Sequence, residues 1–127
     1  MVRLLQFATA PEQRRLWRAL LAVLFIAITW LALTPAPPPT LSTGWDKSNH
    51  ALAFGSLAFA SVWALWPQRR QWWLIVALLL AYGVGIEIAQ SFLPPREADL
   101  RDVVADGVGI LLGLLAAWPV EAATRRR

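Results

Sequence analysis

The chain has 127 residues, 57% of them hydrophobic and 16% charged, and a net charge of +4. An ordinary soluble domain is nearer 45–50% apolar and about 25% charged, so this composition points to a single domain in a bilayer. Cysteine is absent, which excludes a disulfide, a zinc–thiolate site and a catalytic thiol.

A membrane span needs about 20 mostly apolar residues, and helices are the expected form because open strands leave their backbone unsatisfied in lipid. Four segments qualify: residues 16–34, 49–66, 72–92 and 100–120. The first is too long for a typical signal-peptide core and reads as a retained span. It ends at the proline run "TPAPPPT" (34–40), an extended linker. The second ends before "PQRRQ". The third carries Glu87 and stops at "LPPRE" (93–97). The fourth carries Asp102 and Asp106. The expected fold is therefore all-α, a polytopic four-helix membrane bundle.

Basic residues set its orientation. Arg3, Arg14, Arg15, Arg18, Arg69, Arg70, Arg125, Arg126 and Arg127 fall on one side of such a bundle, and Lys47, Arg96 and Arg101 on the other. The excess of positive charge places both termini in the cytoplasm of a bacterial inner membrane. Trp17, Trp66, Trp72, Trp73 and Trp118 then sit at the inner interface, with Trp30 and Trp45 near the outer one. Three terminal arginines are too short a run to suggest nucleic acid. The expected partners are membrane lipids, and a homo-oligomer is left open.

Polar residues gather at the opposite, outer face. The only histidine and six of the eight acidic residues lie there. Helical spacing lines them up in stripes: Asp46, His50, Phe54, Leu57 and Ser61 on the second span, Gly83, Glu87 and Gln90 on the third, and Asp99, Asp102, Asp106, Gly109 and Gly113 on the fourth. Polar stripes in membranes face a bundle interior or a wet cavity. Gly109 and Gly113 also form a small-xxx-small pattern that permits close helix packing. The three stripes are expected to meet in a polar pocket, with Glu87 near Lys47, Arg96 or His50, because a lone intramembrane carboxylate costs about 2.5–3.5 kcal/mol.

The stretches "DKSNHALAF" (46–54) and "IEIAQSFLPPREADLRDVVADGVG" (86–109), with Gly113, resemble the VanZ-like family, over about residues 45–113. The shared pattern runs D-K-x-x-H, then I-E-x-x-Q-x-F-x-P-x-R, then D-x-x-D and a glycine-rich span. The resemblance implies that Asp46, Lys47, His50, Glu87, Gln90, Arg96, Asp99 and Asp102 are signature positions. Asp106 departs from it, since the family usually has asparagine there. The family takes its name from a protein associated with teicoplanin resistance, so the resemblance implies a cell-envelope role and a link to glycopeptide susceptibility.

Three functions fit these residues. The first is binding of a lipid-linked or cell-wall-related anionic ligand by Asp46, Lys47, His50, Glu87, Gln90, Arg96, Asp99, Arg101, Asp102 and Asp106, with arginine gripping phosphate. The second is an intramembrane enzyme acting on a polyprenyl phosphate or phospholipid head group, with His50 or Glu87 as acid/base. The third is a proton or ion pathway through Glu87 and Asp106. Asp99 and Asp102 offer oxygen ligands to a hard cation, but two aspartates three apart are common. No metal and no cofactor is assigned.

Overall fold

A computed structural model describes residues 1–125; Arg126 and Arg127, two of the expected inner-side arginines, lie outside the described residues. Five α-helices follow one another: α1 (Val2–Ala8), α2 (Arg14–Leu33), α3 (Asp46–Ala64), α4 (Trp72–Gln90) and α5 (Leu100–Arg125). Short 3-10 turns precede α2, α3 and α4, and the described residues contain no strand.

Three helical segments are long and apolar enough to cross a membrane: Pro11–Leu33, Arg69–Gln90 and Leu100–Arg125. Their surfaces are apolar where a soluble protein would be polar. Val23, Ile26 and Trp30 on α2, Leu78 and Ile88 on α4, and Leu111, Leu112 and Leu115 on α5 are exposed. Only Leu21 of α2 is buried. α3, expected as the second span, is not among the three. Its 19 residues would extend about 28 Å at 1.5 Å per residue, enough for most of a hydrocarbon core. Its opening Asp-Lys-Ser-Asn-His and its many small residues make it less apolar. Those small residues serve packing instead: Phe54, Leu57, Ala58 and Ala60 through Ala64 are buried against the other helices.

α3 and α5 pack backbone to backbone. A Cβ on Gly109 would stand 2.7 Å from Ala51 Cα, and one on Gly113 would stand 3.1 Å from Ala58 Cβ. The small-residue pattern on α5 therefore meets a matching one, Ala51, Gly55 and Ala58, on α3.

α1 lies before the first expected span, and the last helix continues past the expected end of the last span at residue 120. α5 runs through Pro119 to Arg125. Beyond the proline, buried Glu121 pairs with Arg69 at 2.8 Å and with Arg125 at 2.6 Å. Arg69 also lies 5.4 Å above the Trp118 ring. Arg18 donates to the Ala64 carbonyl at 3.0 Å, closing the C-terminal end of α3. These ties, with the packing of α1 on α5, bring the start and end of the described chain to one end of the bundle. The polar cluster occupies the other end.

Candidate functional site

The three expected polar stripes are buried faces of their helices. Phe54, Leu57 and Ser61 on α3, Gly83, Glu87 and Gln90 on α4, and Asp102, Asp106, Gly109 and Gly113 on α5 are all buried. Space for the carboxylate of Asp106 comes from Gly83, because a Cβ there would overlap Asp106 Oδ2.

His50 stands at the centre. Its Nδ1 lies 2.7 Å from Asp106 Oδ1, and its Nε2 lies 3.5 Å from Asp102 Oδ2. An ionised carboxylate only accepts, so with Asp106 ionised Nδ1 carries a proton, and when the ring is neutral Nε2 presents its lone pair. Lys47 is shared among three carboxylates: it donates to Asp102 Oδ1, donates to Asp99 Oδ2 at 3.0 Å, and lies 3.5 Å from Asp46 Oδ2. Asp46, on the same α3 face as His50, is the open side of the group, with 58% of its side chain exposed.

Asp99, in the loop before α5, links the cluster to its rim. Its Oδ1 accepts the Arg101 backbone N–H at 2.9 Å, capping the helix, and Arg101 Nε lies 3.1 Å from the same oxygen. The Arg101 side chain, then its backbone N–H, then Lys47 hold the Asp99 carboxyl well below the usual carboxylate range. Arg101 itself is 83% exposed, and its hydrogen bonds to Asp99 use Nε.

Glu87 reaches the cluster differently from the sequence expectation. Its Oε2 accepts the Asp99 backbone N–H at 2.8 Å, and no ion pair joins it to a cation among the described residues. A buried carboxylate on α4 thus anchors the loop that starts α5. Its Oε1 and Asp106 Oδ2 are buried with no hydrogen-bond partner.

Gln90 and Arg96 stand apart from the cluster, on the C-terminal end of α2. Gln90 Nε2 donates to the Ala32 carbonyl at 2.8 Å. Arg96 donates from Nε to the Thr34 carbonyl at 2.9 Å and from Nη2 to that of Leu31. The last carbonyls of a helix lack intrahelical partners and carry its partial negative charge, which an arginine fork suits. The structure therefore brings together Asp46, Lys47, His50, Asp99, Asp102 and Asp106, with Glu87 behind them and Arg101 at the rim.

Two concavities lie outside this cluster. One, of about 590 Å³, is an apolar groove along α2 lined by Phe25, Ile26, Thr29, Trp30, Leu33 and Thr34. It connects to the site through packing: Thr29 hydrogen-bonds Tyr82 at 2.6 Å, and the Tyr82 ring lies 5.7 Å from that of Phe54. The other, of about 350 Å³, lies at the opposite end near Gln68 and Glu121. The chemistry is concentrated at the shallow polar end rather than in either concavity, because only there do titratable groups from two helices and a loop converge. Sequence reasoning passed over Glu121, although its spacing of four from Arg125 marks a helical ion pair.

Comparison with known proteins fits this arrangement. The VanZ/LLP1 family matches residues 6–121. An uncharacterized protein of Schizosaccharomyces pombe is 34% identical over 99 residues, which cover 76% of this chain and 59% of the yeast protein. No solved structure matches the chain. With the family match extending over nearly the whole chain, the chain belongs to the VanZ/LLP1 family.

Proposed function

We propose that this VanZ/LLP1 protein crosses the bacterial inner membrane four times, with both termini cytoplasmic and α3 as the protein-lined second span. Its polar end then faces outward and binds the phosphate-bearing head group of a membrane lipid or lipid-linked cell-wall intermediate. An envelope role and an effect on glycopeptide susceptibility belong to the same reading. The observation that carries it is the convergence of charged groups from α3, α5 and the loop between α4 and α5 at one end of an otherwise apolar bundle, beside an apolar groove suited to an acyl chain. Arg101 is the cation best placed to grip phosphate, since its side chain is the most exposed of the cluster's cations and its Asp99 contact uses Nε. Lys47 is shared among carboxylates and Arg96 is committed to α2, so neither supplies the primary contact. A relative in a yeast favours a ligand not confined to bacterial envelopes, which points to a phospholipid-type head group.

Native mass spectrometry of the full chain, released gently from membranes, tests this. Wild type should retain a phosphate-bearing lipid. Arg101→Ala should lose it and Arg125→Ala should keep it. Equal retention in all three, or none in wild type, contradicts the reading.

A second reading, an intramembrane acid–base enzyme, is favoured by one observation: the Asp106–His50 hydrogen bond, which fixes the ring so that Nε2, beside Asp102 Oδ2, is its free basic atom. His50→Ala then abolishes turnover of a head-group substrate, and intact turnover excludes it. Against an ion pathway, the buried face of α5 between Asp106 and Glu121 is Gly109, Ile110, Gly113, Leu114 and Ala117, which offers no hydrogen-bonding side chain.

A further inference from the structure

The cluster contains more negative charge than its cations balance. Asp46, Glu87, Asp99, Asp102 and Asp106 face Lys47 and His50, with Arg101 at the rim. Two of these carboxylates are buried and each keeps one oxygen without a partner: Asp106 Oδ2 and Glu87 Oε1. Asp106 joins the site through Oδ1, which bonds His50, while its Oδ2 lies toward Gly83 on α4. Buried polar atoms without partners are uncommon, and a bound ion nearby is one of the accepted reasons for them.

We propose that Asp46, His50 and Asp102 form a binding site for a divalent transition-metal ion, Zn²⁺ or Mn²⁺. One ligand atom from each lies within 4.8 Å of the others. Around a metal bonded at about 2.1 Å, neighbouring ligand atoms stand roughly 3.0–3.4 Å apart. The 3.5 Å between His50 Nε2 and Asp102 Oδ2 is close to that spacing and long for a hydrogen bond. Asp102 divides its work: Oδ1 holds Lys47 while Oδ2 is turned toward His50, so a metal takes Oδ2 without displacing the lysine. Asp46 is free to close the set, because its side chain is mostly exposed and its approach to Lys47 is a loose 3.5 Å.

The surroundings have the form that metal sites use. A ligating histidine usually donates its second N–H to a carboxylate, which fixes the tautomer and raises the basicity of the ligating nitrogen. Asp106 stands at that position. One imidazole with two carboxylates suits Zn²⁺ or Mn²⁺ better than Ca²⁺, which prefers an all-oxygen shell. A metal here would also supply the positive charge that an acidic site needs to hold phosphate; this last link alone rests on the head-group reading above.

The test is a titration of the full chain, in detergent, stripped with chelator and free of added lipid. Mn²⁺ is followed by the resonance of the free ion and Zn²⁺ by calorimetry. Wild type should bind one equivalent saturably. Asp46→Asn should weaken binding at least about tenfold, and Asp106→Asn by about 10–100-fold through lost orientation of the ring. His50→Gln should abolish it, and Arg125→Ala should leave it unchanged. Should His50→Gln fail to fold, Asp46→Asn decides, since that side chain is exposed. Absence of saturable binding in wild type, or unchanged affinity in Asp46→Asn, overturns the site. Metal binding without lipid retention would sink the head-group reading and keep the metal site; lipid retention without metal binding would do the reverse.

Discussion

Asp106 is fully buried. Here its carboxylate fits because α4 has a glycine opposite. A methyl at Gly83 would overlap Asp106 Oδ2 and stand 3.3 Å from Phe54 Cζ, so Gly83→Ala should push Asp106 aside and loosen His50. Gly85, with open space around its missing Cβ, is the matched control. As His50 is the only histidine, its ring gives single, assignable nuclear magnetic resonance signals. Gly83→Ala should shift the Nδ1 signal while Gly85→Ala leaves it in place; equal responses would show that Asp106 does not position the ring. At this scale the sequence was partly legible. The spacing of Asp46 and His50, and of Asp102 and Asp106, put each pair on one helical face, and the structure faces those pairs toward each other. The backbone N–H partner of Glu87 was not legible, because its position depends on the path of the loop and not on the identity of any side chain. The contacts of Arg96 with α2 were hidden for a related reason: a helix end with unpaired carbonyls is as good a partner for its guanidinium as an anion, and nothing in the local sequence distinguishes the two.

Two elements depend on these details for their packing. α3 and α5 approach so closely that Gly109→Ala would force its methyl to within 2.7 Å of Ala51 Cα and nearer still to the Ala51 carbonyl. Overpacking of this kind typically costs about 1–3 kcal/mol. Gly107→Ala, one helix face away, meets only Leu80 Cδ2 at 3.8 Å and should be neutral or stabilising by up to about 1 kcal/mol through helix propensity. Unfolding in mixed micelles with increasing SDS should separate the two variants, and similar midpoints would contradict the backbone-to-backbone packing. At the end of α2, Arg96→Ala removes two charge-assisted hydrogen bonds and should lower stability by about 1.5–3 kcal/mol in the same assay. Arg96→Lys should recover only part of that, because an ammonium cannot reproduce the fork. Full stability in Arg96→Ala would free this arginine for a ligand. Among the elements, α2, α4 and α5 were legible as long apolar runs. The extension of α5 past Pro119 was not, because it rests on the long-range pairing of Glu121 with Arg69. α3 was legible as a helix through its stripe, but its low hydropathy shows that its neighbours are protein on most sides.

The whole molecule is a bundle with an ion-paired end and an acidic end, joined by an apolar middle. The proposed four-span topology predicts that the loops at Arg70 and Glu97 lie on opposite sides of the membrane. Since the chain has no cysteine of its own, single cysteines placed at these two positions can be labelled without background. A membrane-impermeant thiol reagent applied from outside should reach position 97 and not position 70, and labelling of both or of 70 alone would reject the topology. The central claim is that the acidic end holds a lipid head group, and the most direct measurement places a photoreactive diazirine on the head group of a phospholipid in reconstituted membranes. After irradiation, peptide mapping should find saturable crosslinks at residues 45–50 and 99–102, competed by unlabelled lipid and diminished in Arg101→Ala. Crosslinks confined to the Arg69 and Arg125 end, or spread evenly over both ends without competition, would contradict the account.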